Sequence, residues 1–429
     1  MRKSLPYLLM LLSSTSMAQM WTELEKDQII KYWAPTNRLV TSSTGKPSVR
    51  LTVEGSKWLW EYNRLRGKAK SNPSLVPVAA NPQEAVWETW IDARVAYDRW
   101  KAQPLATLVK DPGPAPADLI SLAGNPPPFA SLVTPNKFVV NIDGQQYVYE
   151  DNLDMRPRFA YYRFTDGVRS FGTKLGTLPI TELNEILDSA GVDESGARIF
   201  KAVSLLEGGF DSLNTYDTGF ISVGFIQFAA LAEGGHSLGQ SLLQFKTDNP
   251  IEFGKDFRRF GIDVTSAGLI VALDTNTRSE RVGAAANELV IKDKRLAAVF
   301  QRAGQFKPYR VAQVKTAKRM YWPAKEKWSI KKPTGETVSG TLDEIIESEA
   351  ARAVFLDRKV NTGNLGFLNS VLQAIADDQQ EYCIDVLKKF EGVVVEALWY
   401  RYNPNKDMLL SKPKACEMLP AVMAKFKRS

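Results

Sequence analysis

The stretch Leu206-Glu207-Gly208-Gly209-Phe210-Asp211, continued by Asn214-Thr215-Tyr216-Asp217-Thr218-Gly219 and Phe220-Ile221-Ser222-Val223-Gly224-Phe225-Ile226-Gln227-Phe228, decides how this chain is read. Just upstream, Ile199, Ala202, Val203 and Leu206 recur as one apolar helical stripe, and Gly208-Gly209 stops the helix. Glu207 is therefore expected on the last helical turn. The C-terminus of a helix carries partial negative charge, and apolar neighbours withhold water. Both effects push a carboxyl toward staying protonated near neutral pH. Asp217 follows in a turn made by Asp217-Thr218-Gly219, and Phe220 to Phe228 reads as a strand or a tight hairpin. A helix end followed by a folded-back hairpin can set two carboxyls across a cleft. One would protonate a leaving oxygen, and the other would orient water or stabilise positive charge. Ser222 could help to hold that water.

These residues resemble the lysozyme superfamily, phage-type lysozymes above all. Their pattern is a Glu-Gly at a helix end, an Asp shortly after it, and a Thr on a Gly-rich β-hairpin. Glu207, Asp217 and Ser222 stand at the matching positions, with slightly different spacing and Ser in place of Thr. The stretch is also similar to lytic transglycosylases, in which Glu-Ser-Gly-Phe is followed by a Gly-Leu-Met-Gln run. Glu207-Gly208-Gly209-Phe210 and Gly224-Phe225-Ile226-Gln227 echo both parts. Gly224 to Phe228 resembles a chitosanase hairpin as well. Farther on, Ala353 to Gly363 resembles a helix of lysozyme-like hydrolases, in which a Phe-Asp pair precedes Val-Asn-x-Gly and a later helix ends in Leu-Gln, here Leu372-Gln373. The resemblance spans about residues 180 to 400.

The resemblance implies a mainly α chain. A lysozyme-like helical domain with a small active-site β-hairpin would follow a helical, Trp-rich N-terminal region and a β-containing connector. It implies hydrolysis of β-1,4 glycosidic bonds in peptidoglycan or a related polysaccharide, with Glu207 as general acid and Asp217 as base or charge stabiliser. Ser222 joins them as a catalytic candidate, and Tyr216, Phe225, Gln227 and Asn361 are candidates for binding substrate. The sister activities, lytic transglycosylase and chitosanase, stay open. So does a wall-binding protein that keeps the site without turnover. No cofactor is implied.

The remaining sequence frames that reading. Arg2-Lys3, the apolar run Leu5 to Leu12 and Ser16-Met17-Ala18 form an export signal over residues 1–18, so a periplasmic or extracellular product without a membrane span is expected. Residues 19–110 read as helical: Trp87, Trp90, Ile91, Val95 and Trp100 recur at helical spacing, best explained as core packing. Residues 111–175 read as a Pro-rich linker followed by a hairpin around Asp143-Gly144. Residues 176–429 would be the catalytic domain, with a basic insertion at about 265–340. Within it, Thr181 is expected to cap one helix. The capping box Thr341-Leu342-Asp343-Glu344 is expected to open another through Ile345, Ala353 and Leu356, and a last helix should run from about Tyr382 to Trp399.

The formal net charge of +7 stays positive once Arg2 and Lys3 leave with the signal. That sign suits a wall carrying lactyl-peptide carboxylates better than cationic chitosan. Residues 292–332 are strongly basic with aromatics interleaved. This mixture can bind nucleic acid, which export argues against, or an anionic glycan surface, and a solvated helix face explains it as well. The single His, His236, reads as a loop or helix-start residue. It cannot build a typical zinc site with two distant Cys, so no metal is expected. Those two, Cys383 and Cys416, form either a disulfide or two buried thiols. Oligomeric state is not legible.

Overall fold

The computed structural model describes residues 19–67, 79–104, 107–151, 153, 164–399, 409, 411 and 419–426. The expected export signal and Cys416 lie outside these residues, while Cys383 is exposed rather than buried. No described helix is long and apolar enough to cross a membrane.

The architecture is mixed α/β, about 51% helix and 15% strand with several small sheets, and not the mainly α fold expected. The strands are hidden in the sequence for physical reasons. Ile262–Val264, Ile270–Asp274 and Ser279–Val282 form an antiparallel sheet. Its middle strand is buried at Ile270, Val271, Ala272 and Leu273 in succession, so it lacks the alternation that marks a half-buried strand. Lys327–Lys331 pairs with Thr337–Thr341 and alternates exposed Lys327, Ser329 and Lys331 with buried Trp328 and Ile330. In the sequence that alternation is masked by a run of basic residues. Strands Leu39–Ser43 and Ser48–Leu51 interrupt the N-terminal region read as helical. The segment read as linker holds a helix, Ala117–Ala123, and a strand, Ala130–Val133.

Other local readings hold. The helix Pro82–Ala102 buries Trp90, Ile91 and Val95, capped by Asn81 with Pro at its first position. Strands Asn136–Ile142 and Gln145–Glu150 pair antiparallel around Asp143 and Gly144, whose positive φ of 50° and 83° suits a two-residue hairpin turn. Three details differ. Thr181 lies inside the helix Ile180–Ser189, which has no side-chain cap. The capping box at Thr341 and Glu344 exists, yet it opens only a single 3-10 turn, and the following helix Glu349–Thr362 has its own cap, Ser348. The last long helix is two short ones, Ile384–Lys389 and Glu391–Leu398, joined at Phe390.

Three hydrophobic cores result. One joins Trp58, Tyr62, Trp90 and Phe129. A second gathers residues from Trp328 to Met423. The largest unites Trp21, Ile29 and Trp33 with the hairpin Asn136–Glu150 and with the helices Ile180–Ser189, Glu194–Ser204, His236–Asp248, Lys294–Ala303 and Lys307–Tyr321. The basic run is drawn into this assembly. Arg302 pairs with Asp256 (2.9 Å), Lys307 with Glu185 (2.7 Å), Lys315 with Asp248 (2.9 Å), and Arg310 with Glu182. Lys294 is buried and donates to the carbonyls of Asp166, Ile291 and Lys292; burial lowers its pKa. Much of this charge ties helices together instead of facing a partner.

One helix pair holds two distant parts of the chain side by side. Glu194–Ser204 starts at Asp193, whose carboxylate accepts from Gly196 N at 2.7 Å, and buries Ile199, Phe200, Ala202 and Val203. It packs on Glu349–Thr362, and the guanidinium of Arg198 grips the buried Glu349 carboxylate with contacts of 2.7–3.2 Å. This ion pair lies toward both N-terminal ends, while Glu207 and Asn361 meet at the other ends, so the helices run in the same direction. Arg198→Ala would leave a buried carboxylate without its guanidinium. The cost is smaller than for a fully buried pair, because Arg198 is partly exposed to water. A thermal melt several degrees lower is the expected result, and an unchanged melt would show the pair to be dispensable.

Candidate active site

The helix Glu194–Ser204 ends three residues before Glu207, one turn earlier than the sequence indicates. The chain then makes one further hydrogen-bonded turn: Leu206 N donates to Val203 O, and both Glu207 N and Gly208 N donate to Ser204 O. Glu207 stands on that turn, half-buried. Gly209 follows in tight contact with a neighbouring segment. Its N–H donates to Phe171 O at 3.1 Å, and a Cβ there would lie 2.0 Å from the carbonyl oxygen of Thr173. Asp211 fastens the same junction, accepting from Thr173 N at 2.6 Å.

Beyond it, a four-stranded antiparallel sheet is built from two-residue strands: Arg169–Ser170, Leu213–Asn214, Ser222–Val223 and Phe228–Ala229. Asn214 faces Ser222 across the ladder, and Asp217 occupies the connecting turn. The Asp217 carboxylate is fixed at both oxygens: Asn214 Nδ2 donates to Oδ2 and Gly219 N to Oδ1, each at 2.9 Å. Ser222 is buried directly beneath this turn, and a Cβ on Gly219 would come within 2.4 Å of its hydroxyl.

These pieces enclose a cleft of about 590 Å³. Glu207, Asp217, Ser222, Tyr216, Gln227 and Asn361 all line it. Asn361, in the last turn of Glu349–Thr362, donates from Nδ2 to the Asp357 carbonyl (2.8 Å) and reaches Glu207 Oε1 at 3.4 Å. The two resembling stretches thus meet although about 150 residues separate them. Asp357 itself is buried beneath Asn361. The Leu372-Gln373 part of the echo does not line the cleft: Gln373 exchanges two hydrogen bonds with the backbone of Lys331 on a strand edge (2.7 and 2.9 Å).

Phe225 is the candidate the structure removes. It is fully buried between Phe200 and Phe210, with ring centroids 5.7 and 5.0 Å away, because the turn between Ser222–Val223 and Phe228–Ala229 points it into the core. Gln227 reaches the cleft, but its amide nitrogen already donates to Ser212 Oγ (2.6 Å) and to the Gly224 carbonyl (3.1 Å). Other lining residues gave no local signal in the sequence: Arg169 and Phe171 on and beside a two-residue strand, Tyr321 at the end of Lys307–Tyr321, and His236, which does begin a helix.

Backbone strain gathers around the same cleft. Phe220, Gln227, Leu231 and His236 adopt φ of 61°, 53°, 54° and 41°, a region that side-chain-bearing residues rarely occupy. Such strain persists only where packing over-determines it and clusters at functional sites. Among the described residues no group of three or more His, Cys, Asp or Glu side chains is placed to hold a metal ion.

The electrostatics are uneven. Burial pushes the Asp217 carboxyl above the usual carboxylate range, outweighing the donors Asn214 and Gly219 and the charge of Arg169. The Tyr321 hydroxyl is also pushed up, mainly by burial and in addition by the Glu207 charge, against a hydrogen bond with Ser237. Comparison adds no assignment: no protein family, curated protein or solved structure matches the chain.

The raised Asp217 pKa means that folding favours its protonated form. That contribution is present at acid pH and is lost as pH rises through the raised value. In a carboxyl-carbon NMR titration, Asp217 should titrate above the ordinary Asp value of about 3.9. Asn214→Ala, which removes a donor that favours the charged form, should move the midpoint higher still. A midpoint below the ordinary value, or a downward shift in the variant, would contradict this electrostatic account.

Proposed function

We propose that the chain is an exported glycosidase of bacterial cell-wall polysaccharide that hydrolyses β-1,4 bonds in peptidoglycan. The observation that carries the reading is the meeting of Glu207 and Asp217 in one cleft, with Asn361 against Glu207 and two donors on Asp217. The N-terminal signal pattern and the positive net charge support the setting.

In this reading the Glu207 carboxyl protonates the glycosidic oxygen as the bond to the anomeric carbon breaks. Asp217 accepts a proton from the attacking water, or stabilises the positive charge that develops on the sugar ring. Its raised pKa makes it the stronger base once ionised. Ser222, beneath the Asp217 turn, helps to hold the water. Asn361 orients the acid, which matters because a proton donor must stay within hydrogen-bond reach of the leaving oxygen.

One observation favours a second reading. Gln227, which the resemblance to lytic transglycosylases picks out, also lines the cleft, and in that reading Glu207 acts alone through the substrate's own hydroxyl. Oxygen-18 water separates the two. Hydrolysis places heavy oxygen at the new reducing ends of muropeptides released from sacculi. Products lighter by one water, without label, would establish the transglycosylase route. Release from chitosan and not from sacculi would replace the substrate.

The acid is tested by Glu207→Gln, which keeps size and hydrogen bonding but removes the proton donor. Activity on sacculi should fall by roughly a hundredfold or more with an unchanged melt. Turnover near the wild-type rate would exclude Glu207 as the acid. Activity that is absent from the wild-type protein as well would favour a wall-binding role.

A further inference from the structure

We infer that Arg169 is a clamp for a carboxylate on the substrate glycan, making the cleft selective for acidic chains over neutral or cationic ones. The inference rests on the glycan-cleaving reading proposed for this cleft. Arg169 is the only Lys or Arg among the described residues lining it. Its guanidinium lies 4.4 Å from the ring centre of Phe171 and 5.6 Å from that of Tyr216. No carboxylate of the described residues forms an ion pair with it. The cations of the basic run are used differently: Arg302, Arg310, Lys307 and Lys315 each have a carboxylate partner.

This arrangement suits an anion that arrives from outside. Contact with the two rings holds the guanidinium in place, and no ion pair with a carboxylate of the described residues occupies its five N–H groups. A planar fork held in this way matches a carboxylate through two parallel hydrogen bonds. Phe171 is 59% exposed at the cleft, so the stacked pair is open to a long polymer and is not sealed in the core. Arg169 also lowers the pKa of Asp217 through its charge. A substrate carboxylate neutralising the guanidinium would weaken that effect and leave Asp217 more basic in the complex. Arg169 is thus a specificity residue placed next to the chemistry.

The test uses the intact protein carrying Glu207→Gln, so that turnover does not consume the probes. Two probes are titrated calorimetrically: soluble glycan chains from sacculi with their carboxylates intact, and the same chains with those carboxylates converted to methylamides. The acidic chains should bind roughly ten- to a hundredfold more tightly, a difference that shrinks with salt. Adding Arg169→Gln should remove the difference while leaving affinity for the amidated chains unchanged. Adding Arg169→Lys should restore only part of it, because a point charge lacks the fork. Full preference retained in Arg169→Gln would overturn the inference, as would equal binding of both probes by the parent. The catalytic reading fails on a different measurement, unchanged turnover in Glu207→Gln alone, so the two failures are told apart.

Discussion

The backbone of Gly209 passes so close to Thr173 that any Cβ would collide with its carbonyl oxygen. The cleft depends on this approach. It lets the chain leave the helix Glu194–Ser204 and turn at once against the segment that carries Arg169 and Phe171, with the Gly209 N–H bonded to Phe171 O. Asp211 then locks the junction through Thr173 N. With a larger residue at 209, the turn bearing Glu207 and the strand bearing Arg169 would separate, and the sheet holding Asp217 would lose its first strand. The glycine serves close approach here and not a special φ, since Gly209 is absent from the glycines with positive φ.

Around that junction the structure accepts several unfavourable terms at once. Four side-chain-bearing residues hold positive φ, burial raises the pKa of one carboxyl, and Ser222 sits close under the turn at Gly219. Each of the positive-φ residues costs on the order of 1–3 kcal/mol, and a small isolated hairpin could not carry four of them. The surrounding core can. Phe200, Phe210, Phe225 and Phe228 pack edge-on or tilted beneath the turns, and Gln313 Nε2 supports the Phe210 carbonyl at 2.9 Å. Phe225 therefore contributes to the cleft from below, by making its floor rigid, and not by touching a substrate.

Charge is divided along similar lines. The basic run of residues 292–332 has the composition of a binding surface, yet Arg302, Lys307, Arg310 and Lys315 find acids on neighbouring helices, and Lys294 finds backbone carbonyls. Local composition cannot reveal this, because the acids Glu182, Asp248 and Asp256 lie far away in sequence. Arg169 is the converse case: an ordinary residue in the sequence whose position beside two rings and a carboxyl gives it a role.

The sequence by itself determined whatever depends on neighbouring residues. Two glycines after an apolar stripe placed the end of a helix to within one turn, Asp143-Gly144 announced its hairpin, and Trp90, Ile91 and Val95 marked a buried helix face. It also singled out Glu207, Asp217, Ser222 and Asn361, since each stands at or near an element's end, where turn and cap chemistry leave a mark. Only the tertiary structure decided the fold class. Two-residue strands are held by pairing and burial across the chain and leave no periodicity to read. It alone turned Phe225 inward and brought Asn361 to Glu207 through the Arg198–Glu349 contact. It alone set Arg169 against Phe171 and Tyr216. Packing chooses among neighbours that sequence distance does not rank, and the chemistry of a cleft belongs to those neighbours.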